Sequence, residues 1–317
     1  MSDSDPAQAG KGAGQPRRLG LIIPWGIAVL LVIVWSGAWL AVSQGAAERI
    51  DAGVAALRQQ GWQVSWQARR IGGYPFRVEA DFDQLRVVDP SGWGVAAPSV
   101  RTQASMLALG DIFVGTQSGL TLLRPQGGPV AIAAPLIRAS IQHWDQRPPQ
   151  LAIVINGPVL TPAPGAAPFW LQRATDLQLY SRPGPDDQGA ADVVMHGAVV
   201  TADSALGKIA GTGPIDLTFN PVLKRVSAFK GAGWRASVLA WAHGGGTIAV
   251  NYFSLTSPTL KLASHDGALV VSDDGHLEGA AQATLAKAEG SEEAPIAFNN
   301  GQAWLNGQPV TAAPRAF

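Results

Sequence analysis

The longest apolar run of the chain extends from residue 19 to residue 42 and contains no charged side chain. A helix of this length crosses the hydrocarbon core of a bilayer, which is about 30 Å thick. Lys11, Arg17 and Arg18 precede the run, and positive charge stays on the cytoplasmic side of a membrane. We therefore expect a single-pass transmembrane anchor over residues 19–42, with the rest of the chain outside the cytoplasm. A cleaved signal peptide is the alternative, although its apolar core normally covers only about 7–15 residues.

The segments on either side of this run have different patterns. Residues 1–18 are polar and rich in Gly and Pro, which predicts a disordered cytoplasmic tail. After the run, apolar residues recur at three- and four-residue steps. These residues are Ala47, Ile50, Val54 and Leu57. Their spacing predicts a juxtamembrane helix over residues 43–60, which Gly61 would end.

Beyond residue 60 the hydrophobic period changes to two, which is typical of strands with one apolar face and one polar face. The alternation is clear at residues 74–82, 215–219 and 248–252. Its large apolar positions are Tyr74, Phe76, Val78, Phe82, Ile215, Leu217, Phe219, Ile248, Val250 and Tyr252. One-sided alternation indicates antiparallel rather than parallel sheet. We predict a mainly β domain with few helices over residues 61–317, with these ten side chains on an apolar sheet face.

Glycine-containing pairs predict the turns of this domain. Five Asx-Gly pairs occur, and such pairs tolerate the positive φ of tight hairpin turns. They are Asn156-Gly157, Asp266-Gly267, Asp274-Gly275, Asn300-Gly301 and Asn306-Gly307. The pair at 274–275 predicts the clearest hairpin, because apolar runs flank it on both sides. Residues 182–189, rich in Pro, Asp and Gly, and the acidic residues 288–295 predict loops.

A further helix is predicted from Trp234 to His243. Trp234, Val238 and Trp241 share one helical face, and Gly244 stands where the helix would end. The run of three glycines at 244–246 follows this helix. A phosphate-binding loop has the reverse order, with the helix after the glycines, so we interpret the run as a helix stop and a turn.

Charge and composition exclude several classes of function. The chain has 23 Lys+Arg and 23 Asp+Glu. Because it carries no excess positive charge to neutralise phosphates, nucleic acid is a poor candidate partner. The absence of Cys excludes disulfides, thiolate metal sites and a Cys nucleophile.

The residues that carry chemistry show no catalytic spacing. The five histidines are His143, His196, His243, His265 and His276. The densest polar cluster comprises His265, Asp266, Asp273, Asp274 and His276, for which a metal site and a solvated turn are alternatives, and we favour the turn. His143 and Asp145 would share a strand face, but no Ser partner is evident. Ser227 and Lys230 match the Ser-x-x-Lys pattern of penicillin-interacting enzymes without its companion motifs. We therefore assign no catalytic, cofactor-binding or metal residue.

A set of short motifs adds a family resemblance. The motifs are IGGYPFR at residues 71–77, LAW at 239–241, GGG at 244–246, the hairpin at 267–279 and NGQAWLNG at 300–307. Together they resemble a membrane-anchored family of Gram-negative envelope proteins, the domain of unknown function 2125. The strand-rich pattern is more distantly similar to AsmA-like proteins. The resemblance implies an inner (cytoplasmic) membrane anchor and a periplasmic, curved antiparallel sheet of half-barrel or AsmA-like form.

Three functions compete at this point. The first is a non-catalytic envelope protein that holds or moves lipid, since an apolar sheet face needs a cover and AsmA-like proteins are associated with lipid movement along a sheet groove. The second is a scaffold or assembly partner for another envelope protein. The third is an envelope hydrolase that uses His143, His265 or His276. The first is the leading hypothesis.

Overall fold

The computed structural model describes residues 19–143, 146, 148–211, 213–287 and 290–317. The predicted tail at 1–18 and the candidate Asp145 lie outside these residues. Strands account for 53% and helices for 19% of the structure, so the expected mainly β architecture is confirmed.

The N-terminal helix α1 runs without interruption from Leu19 to Gln59. It therefore covers both the predicted span and the predicted juxtamembrane helix. From Pro24 onward the helix is long and apolar enough to cross a membrane, and only 6% of its most apolar stretch is buried against the rest of the structure. Gly61 follows the helix with a φ of 87°, a conformation that favours glycine after a helix end.

Twenty-one strands, two further α-helices and a short 3-10 helix (Val226–Ala228) follow in the described residues. The first strands are β1 (Gln63–Ser65), β2 (Ala68–Gly72), β3 (Arg77–Val88), β4 (Gly94–Ser105), β5 (Ala108–Thr116), β6 (Leu120–Leu123) and β7 (Val130–Ala133). The next are β8 (Leu136–Gln142), β9 (Gln150–Asn156), β10 (Val159–Pro162), β11 (Leu171–Arg173), β12 (Asp176–Pro183) and β13 (Gln188–Val200). The remainder are α2 (Ala205–Ala210), β14 (Ile215–Lys224), α3 (Trp234–His243), β15 (Thr247–Thr256), β16 (Lys261–Val271), β17 (Leu277–Lys287), β18 (Gly290–Glu293), β19 (Ile296–Asn299), β20 (Gln302–Leu305) and β21 (Gln308–Ala312).

Ten of these strands form a closed circuit of antiparallel pairings, so the sheet closes into a barrel. The order around the circuit is β4, β5, β8, β9, β12, β13, β11, β10, β7 and β6, which pairs with β4 again. Strands β1 to β3 extend the sheet beyond β4, and β14 to β21 extend it beyond β13. The expected curved antiparallel sheet is confirmed, and it closes further than the half-barrel that we expected.

Four segments of the chain each contribute two short strands to the barrel, with a break between the two. These pairs of strands are β5 and β6, β7 and β8, β9 and β10, and β11 and β12. At three of these four breaks, the chain has residues that interrupt the ladder of hydrogen bonds between strands. Gly119 and Gly157 have positive φ values of 69° and 56°, and Pro135 and Pro158 cannot donate a ladder hydrogen bond. The breaks allow each segment to bend, so that its two halves belong to opposite sides of the circuit.

The main hydrophobic core lies between one set of half-strands and the C-terminal strands. Val130 of β7, Leu160 of β10 and Leu171 of β11 are buried together with residues of β13 to β17. The C-terminal contributors include Ile215, Leu255, Leu262 and Leu285. A smaller core forms where Val238 and Trp241 of α3 pack near Val271 of β16.

Asp89, in the turn between β3 and β4, joins the first long hairpin to α3. Its Oδ2 accepts the backbone N–H of Trp234 at 2.6 Å, and its Oδ1 accepts the backbone N–H of Trp93 at 2.9 Å. The Ser91 hydroxyl donates to the same carboxylate at 2.6 Å. Burial raises the pKa of Asp89, but these hydrogen bonds outweigh burial and hold the pKa below its usual value. The contact brings together residues 145 positions apart.

Several local expectations are confirmed. The helix from Trp234 to His243 and the hairpin at residues 274–275 occur as predicted. Gly244 ends the helix, and a side chain at Gly246 would collide with the Trp241 ring. The glycine run is therefore a helix stop.

Other local expectations need correction. Strand β3 begins at Arg77 rather than at Tyr74, because the Arg77 N–H bonds back to Gly73 in a turn before the ladder starts. Of the predicted loop at 182–189, only residues 184–187 form a turn, while two residues at each end belong to β12 and β13. Strand β18 occupies part of the predicted loop at 288–295, since its backbone pairs with β17; residues 288 and 289 lie outside the described part.

Only some of the Asx-Gly pairs make hairpin turns. The two-residue turns at 300–301 and 306–307 have positive φ at both positions and join β19 to β20 and β20 to β21, as a tight hairpin requires. The pair at 156–157 instead breaks β9 from β10, and the pair at 266–267 lies within β16 beside a bulge. Strand pairing at these two sites overrides the local turn signal.

Candidate functional site

An apolar cavity of about 520 Å³ lies between α2, the paired strands β15 and β16, and the C-terminal strands β19 to β21. Its apolar lining comprises Trp170, Leu206, Ile209, Phe253, Leu255, Leu262, Ile296, Phe298, Ala303, Trp304, Leu305, Val310 and Pro314. The volume falls within the range of about 300–1,000 Å³ that is typical of small-molecule sites. Apolar lining and this size together favour a hydrocarbon ligand.

A second cavity of about 200 Å³ adjoins the first. Phe253, Ile296, Phe298 and Pro314 line both cavities. The smaller cavity continues between β14 to β17 and is lined by Leu217, Phe219, Val250, Phe253, Ser264, Leu269, Leu277, Ala281, Ile296, Phe298 and Pro314. The two cavities therefore adjoin each other within one apolar region of the domain.

One polar atom in the wall of the larger cavity has no partner. The indole Nε1–H of Trp304 is buried and makes no hydrogen bond within the residues that the structure describes. A buried donor without an acceptor costs free energy. Because the Nε1 atom has almost no accessible surface, a ligand in the cavity does not reach it, and this donor does not indicate what the cavity holds.

Arg315 stands exposed at the edge of the larger cavity. Its Nε–H donates to Nε2 of His276 at 2.9 Å, and Nδ1 of His276 lies 2.7 Å from Oδ2 of Asp274. Because Nε2 accepts, Nδ1 carries the ring proton and donates to Asp274. Two hydrogen bonds lower the pKa of Asp274 to about 2. The larger effect comes from the Ser272 side chain and the next from the His276 side chain.

This chain of hydrogen bonds leaves the charge of Arg315 available. Within the described residues, no carboxylate lies in ion-pair distance of its guanidinium. His276, by contrast, uses both ring nitrogens and offers none to a metal or to a substrate. Arg315 is therefore suited to an anionic group at the cavity edge, while His276 positions it.

The structure brings only part of the sequence-predicted apolar face to this cavity. Leu217, Phe219 and Val250 line the smaller cavity. Ile215 is fully buried in the adjoining core, and Ile248 packs beside α3. These five residues belong to the region that surrounds the candidate site.

The other predicted face residues lie elsewhere. Val78 and Phe82 are buried on β3, where Phe82 meets the ring of Trp66 edge to face. Tyr74 and Phe76 are exposed at the turn before β3. The Tyr252 ring lies 5.1 Å from that of His265 and lines neither apolar cavity.

A bulge explains the misplacement of Tyr252. Asn220 pairs with Tyr252 and Pro221 with Val250, so Asn251 is an extra residue on β15. An extra residue reverses which side chains face inward. Phe253 and Leu255 therefore line the cavity in place of Tyr252. Their own alternation along the sequence is the signal that could have identified them.

The candidate catalytic residues do not converge. His196 pairs with Asp176, His243 with Asp273 and His276 with Asp274. No group of three or more metal-ligating side chains occurs among the residues that the structure describes. These separate pairings give the hydrolase hypothesis no support.

The Ser-x-x-Lys pattern has a structural explanation. The Ser227 hydroxyl donates to Oδ2 of Asp187 at 2.7 Å, and its backbone N–H donates to Oδ1 of the same carboxylate. Ser227 therefore anchors the turn between β12 and β13 to the segment before α3.

One comparison with known proteins identifies a family. A family model described as an uncharacterized protein conserved in bacteria (DUF2125) matches residues 39–294. The match ends before β19, so Trp304, Val310 and Arg315 lie beyond it. No curated protein and no solved structure matches the chain, and the distant similarity to AsmA-like proteins gains no support. Since the family model covers well over half of the sequence, the chain belongs to the family of uncharacterized bacterial proteins DUF2125.

Proposed function

We propose that this protein is a non-catalytic, single-pass protein of the inner membrane whose periplasmic domain holds a lipid acyl chain in the apolar cavity. The observation that carries the proposal is the pair of adjoining apolar cavities, about 520 Å³ and about 200 Å³. An acyl chain fits such a space because burial of its methylenes contributes about 0.8 kcal/mol each.

The positive charge at the edge of the site supports a lipid rather than a plain hydrocarbon. Arg315 at the cavity edge suits a phosphate or carboxylate. A lipid carries such a group at one end of its acyl chain. We therefore propose that the headgroup lies toward Arg315 and the hydrocarbon toward Phe253 and Phe298.

The helix α1 would keep the domain close to the membrane lipids that it binds. Its length and composition suit a membrane crossing, and the positive charge at Lys11, Arg17 and Arg18 favours a cytoplasmic N-terminus. A domain held on the opposite side of that membrane is close to the lipids of the outer leaflet.

The content of bound lipid tests the proposal. Full-length protein is purified in detergent, washed extensively and extracted, and phospholipid per protein is measured by mass spectrometry. Boundary lipid around α1 contributes to this value, so the comparison uses two variants. Val310→Trp fills the larger cavity, whereas Val270→Trp places the same bulk on an exposed strand position that is 41% accessible.

We expect Val310→Trp to lose about one lipid per chain relative to Val270→Trp and to the parent protein, because the indole occupies the space of the acyl chain. Equal lipid content in all three proteins would overturn the acyl-chain proposal. Thermal unfolding of both variants shows whether Val310→Trp retains the native fold.

Orientation is tested separately with single cysteines, since the natural chain has none. Gln126→Cys lies in the exposed turn between β6 and β7. A membrane-impermeant maleimide added to cells with a permeabilised outer membrane should label Gln126→Cys and should leave Ser4→Cys unlabelled until the inner membrane is disrupted. The reverse result would place the β domain in the cytoplasm.

A further inference from the structure

The turn between β2 and β3 contacts α1 through two indole hydrogen bonds. Trp35 Nε1–H donates to the carbonyl oxygen of Pro75 at 2.8 Å. Trp39 Nε1–H, one helical turn further on, donates to the carbonyl oxygen of Arg77 at 2.7 Å. These bonds hold the turn at a defined height along the helix.

Aromatic contacts strengthen the same junction. The Trp39 and Tyr74 rings meet edge to face with centroids 5.4 Å apart, and Trp35 lies 6.3 Å from Phe76. Aromatic pairs in such arrangements are favourable beyond the burial of their area. An ion pair between Arg69 and Asp51 of α1 adds a further attachment at 2.6 Å.

Apolar side chains nevertheless remain exposed at this end of the sheet. Phe76 is 69% accessible and Tyr74 is 52% accessible. The neighbouring turn between β4 and β5 lies alongside, because the Met106 N–H donates to the Phe76 carbonyl at 3.0 Å. Its Leu107 is 87% accessible. Two adjacent turns therefore expose large apolar side chains on the surface of the domain.

The height of these turns along α1 places them at a membrane boundary. About 20 helical residues cross a hydrocarbon core of about 30 Å, so a crossing that starts at Leu19 ends near Trp39. Trp35 lies four residues earlier, about 6 Å deeper at 1.5 Å per residue. The turn bonded to Trp35 and Trp39 is therefore level with the outermost part of the crossing, where Trp and Tyr rings are favoured.

We infer that the turns at residues 74–76 and 106–107 insert into the interfacial layer of the bilayer that α1 crosses, on the side of the β domain. Interfacial elements of this kind bury their apolar side about 5–10 Å into the boundary between headgroups and acyl chains. The domain then rests on the membrane with a fixed tilt rather than swinging on α1. This inference rests on the proposed membrane crossing of α1, and it does not depend on acyl-chain binding.

Depth-dependent fluorescence quenching tests the inference. Full-length single-cysteine variants are labelled with an environment-sensitive fluorophore and reconstituted in phosphatidylethanolamine and phosphatidylglycerol vesicles. One set of vesicles carries a lipid with a spin label near the headgroup end of its acyl chain, and a second set carries a lipid with the spin label near the end of the chain. Leu107→Cys reports on the turn, Gln126→Cys reports on an exposed turn between other strands, and Leu30→Cys reports on the middle of the α1 crossing.

We expect the label at 107 to show a blue-shifted emission and a loss of fluorescence with the shallow spin label. The label at 30 should lose fluorescence with the deep spin label, and the label at 126 should show no change with either. If the label at 107 behaves like that at 126 while the label at 30 is quenched, the turns do not insert and the inference is overturned. If the label at 30 is also unquenched, the membrane crossing itself fails, and both the proposed location and the inference are overturned.

Discussion

The Nε–H of Arg315 donates to Nε2 of His276 across 39 positions of the sequence, at 2.9 Å. The Ala316 N–H bonds to the Gly275 carbonyl, and the Leu277 N–H bonds to the Pro314 carbonyl. Together these bonds fasten residues 314–316 to the β16–β17 hairpin. Because Pro314 and Arg315 also line the larger cavity, the hairpin determines where one edge of the candidate site lies.

Replacement of His276 should loosen this edge. His276→Phe retains the ring but removes the acceptor for Arg315 and the donor to Asp274, so we expect a loss of about 1–3 kcal/mol of unfolding free energy. Hydrogen exchange at the amides of Leu277 and Ala316 should accelerate. His243→Gln is the control, since that histidine and its partner Asp273 are largely exposed and such pairs contribute little. Equal effects of both variants would contradict this account.

Asp89 should make the fold sensitive to acid. Its carboxylate accepts from Trp93, Trp234 and Ser91 through both oxygens, whereas an amide at this position has only one acceptor. We expect Asp89→Asn to cost about 1–3 kcal/mol. Since the folded pKa of Asp89 is lowered, its contribution is present above the unfolded pKa of about 3.9 and is lost as the pH falls through the folded pKa.

Unfolding measured between neutral and acidic pH checks this expectation. The difference between the parent protein and Asp89→Asn should shrink as the pH falls. A pH-independent difference would contradict the assigned role of the carboxylate. Asp186→Asn, in an exposed turn with a positive φ that Asn tolerates, should match the parent protein throughout.

In the glycine run after α3, we expect a substitution to lower stability through steric collision with neighbouring side chains. A Cβ at Gly246 would collide with the Trp241 ring, while a Cβ at Gly72 meets nothing within 4 Å. We therefore expect Gly246→Ala to cost about 1–3 kcal/mol and Gly72→Ala to be close to neutral. Thermal unfolding of both variants checks this. A tolerated Gly246→Ala would show that the helix stop does not require glycine.

Elements that depend on local periodicity could be predicted from the sequence. The apolar part of α1 is one unbroken apolar run, the helix from Trp234 to His243 has a periodic apolar face followed by a glycine, and the hairpin at 274–275 has apolar runs on both sides of an Asp-Gly pair. In these cases the residues that decide the structure are neighbours in the chain. Family membership was also predictable, because its motifs are short and contiguous.

The candidate cavity could be predicted only in part. Leu217, Phe219 and Val250 follow from simple alternation, but the extra residue at Asn251 reverses the pattern and replaces Tyr252 with Phe253. The walls from Trp304 and Val310 depend on how the C-terminal hairpins fold back over β15 and β16. Such contacts join segments that are distant in the sequence, so no local pattern of residues predicts them.

The location of a bound acyl chain tests the central claim most directly. A phospholipid with a photoactivatable group near the end of one acyl chain is supplied to cells that make the full-length protein, and the crosslinked peptides are mapped after irradiation. We predict crosslinks to peptides that contain Phe253, Phe298 or Leu262, and their loss in Val310→Trp but not in Val270→Trp. Crosslinks confined to α1 in all three proteins would contradict acyl-chain binding by the β domain.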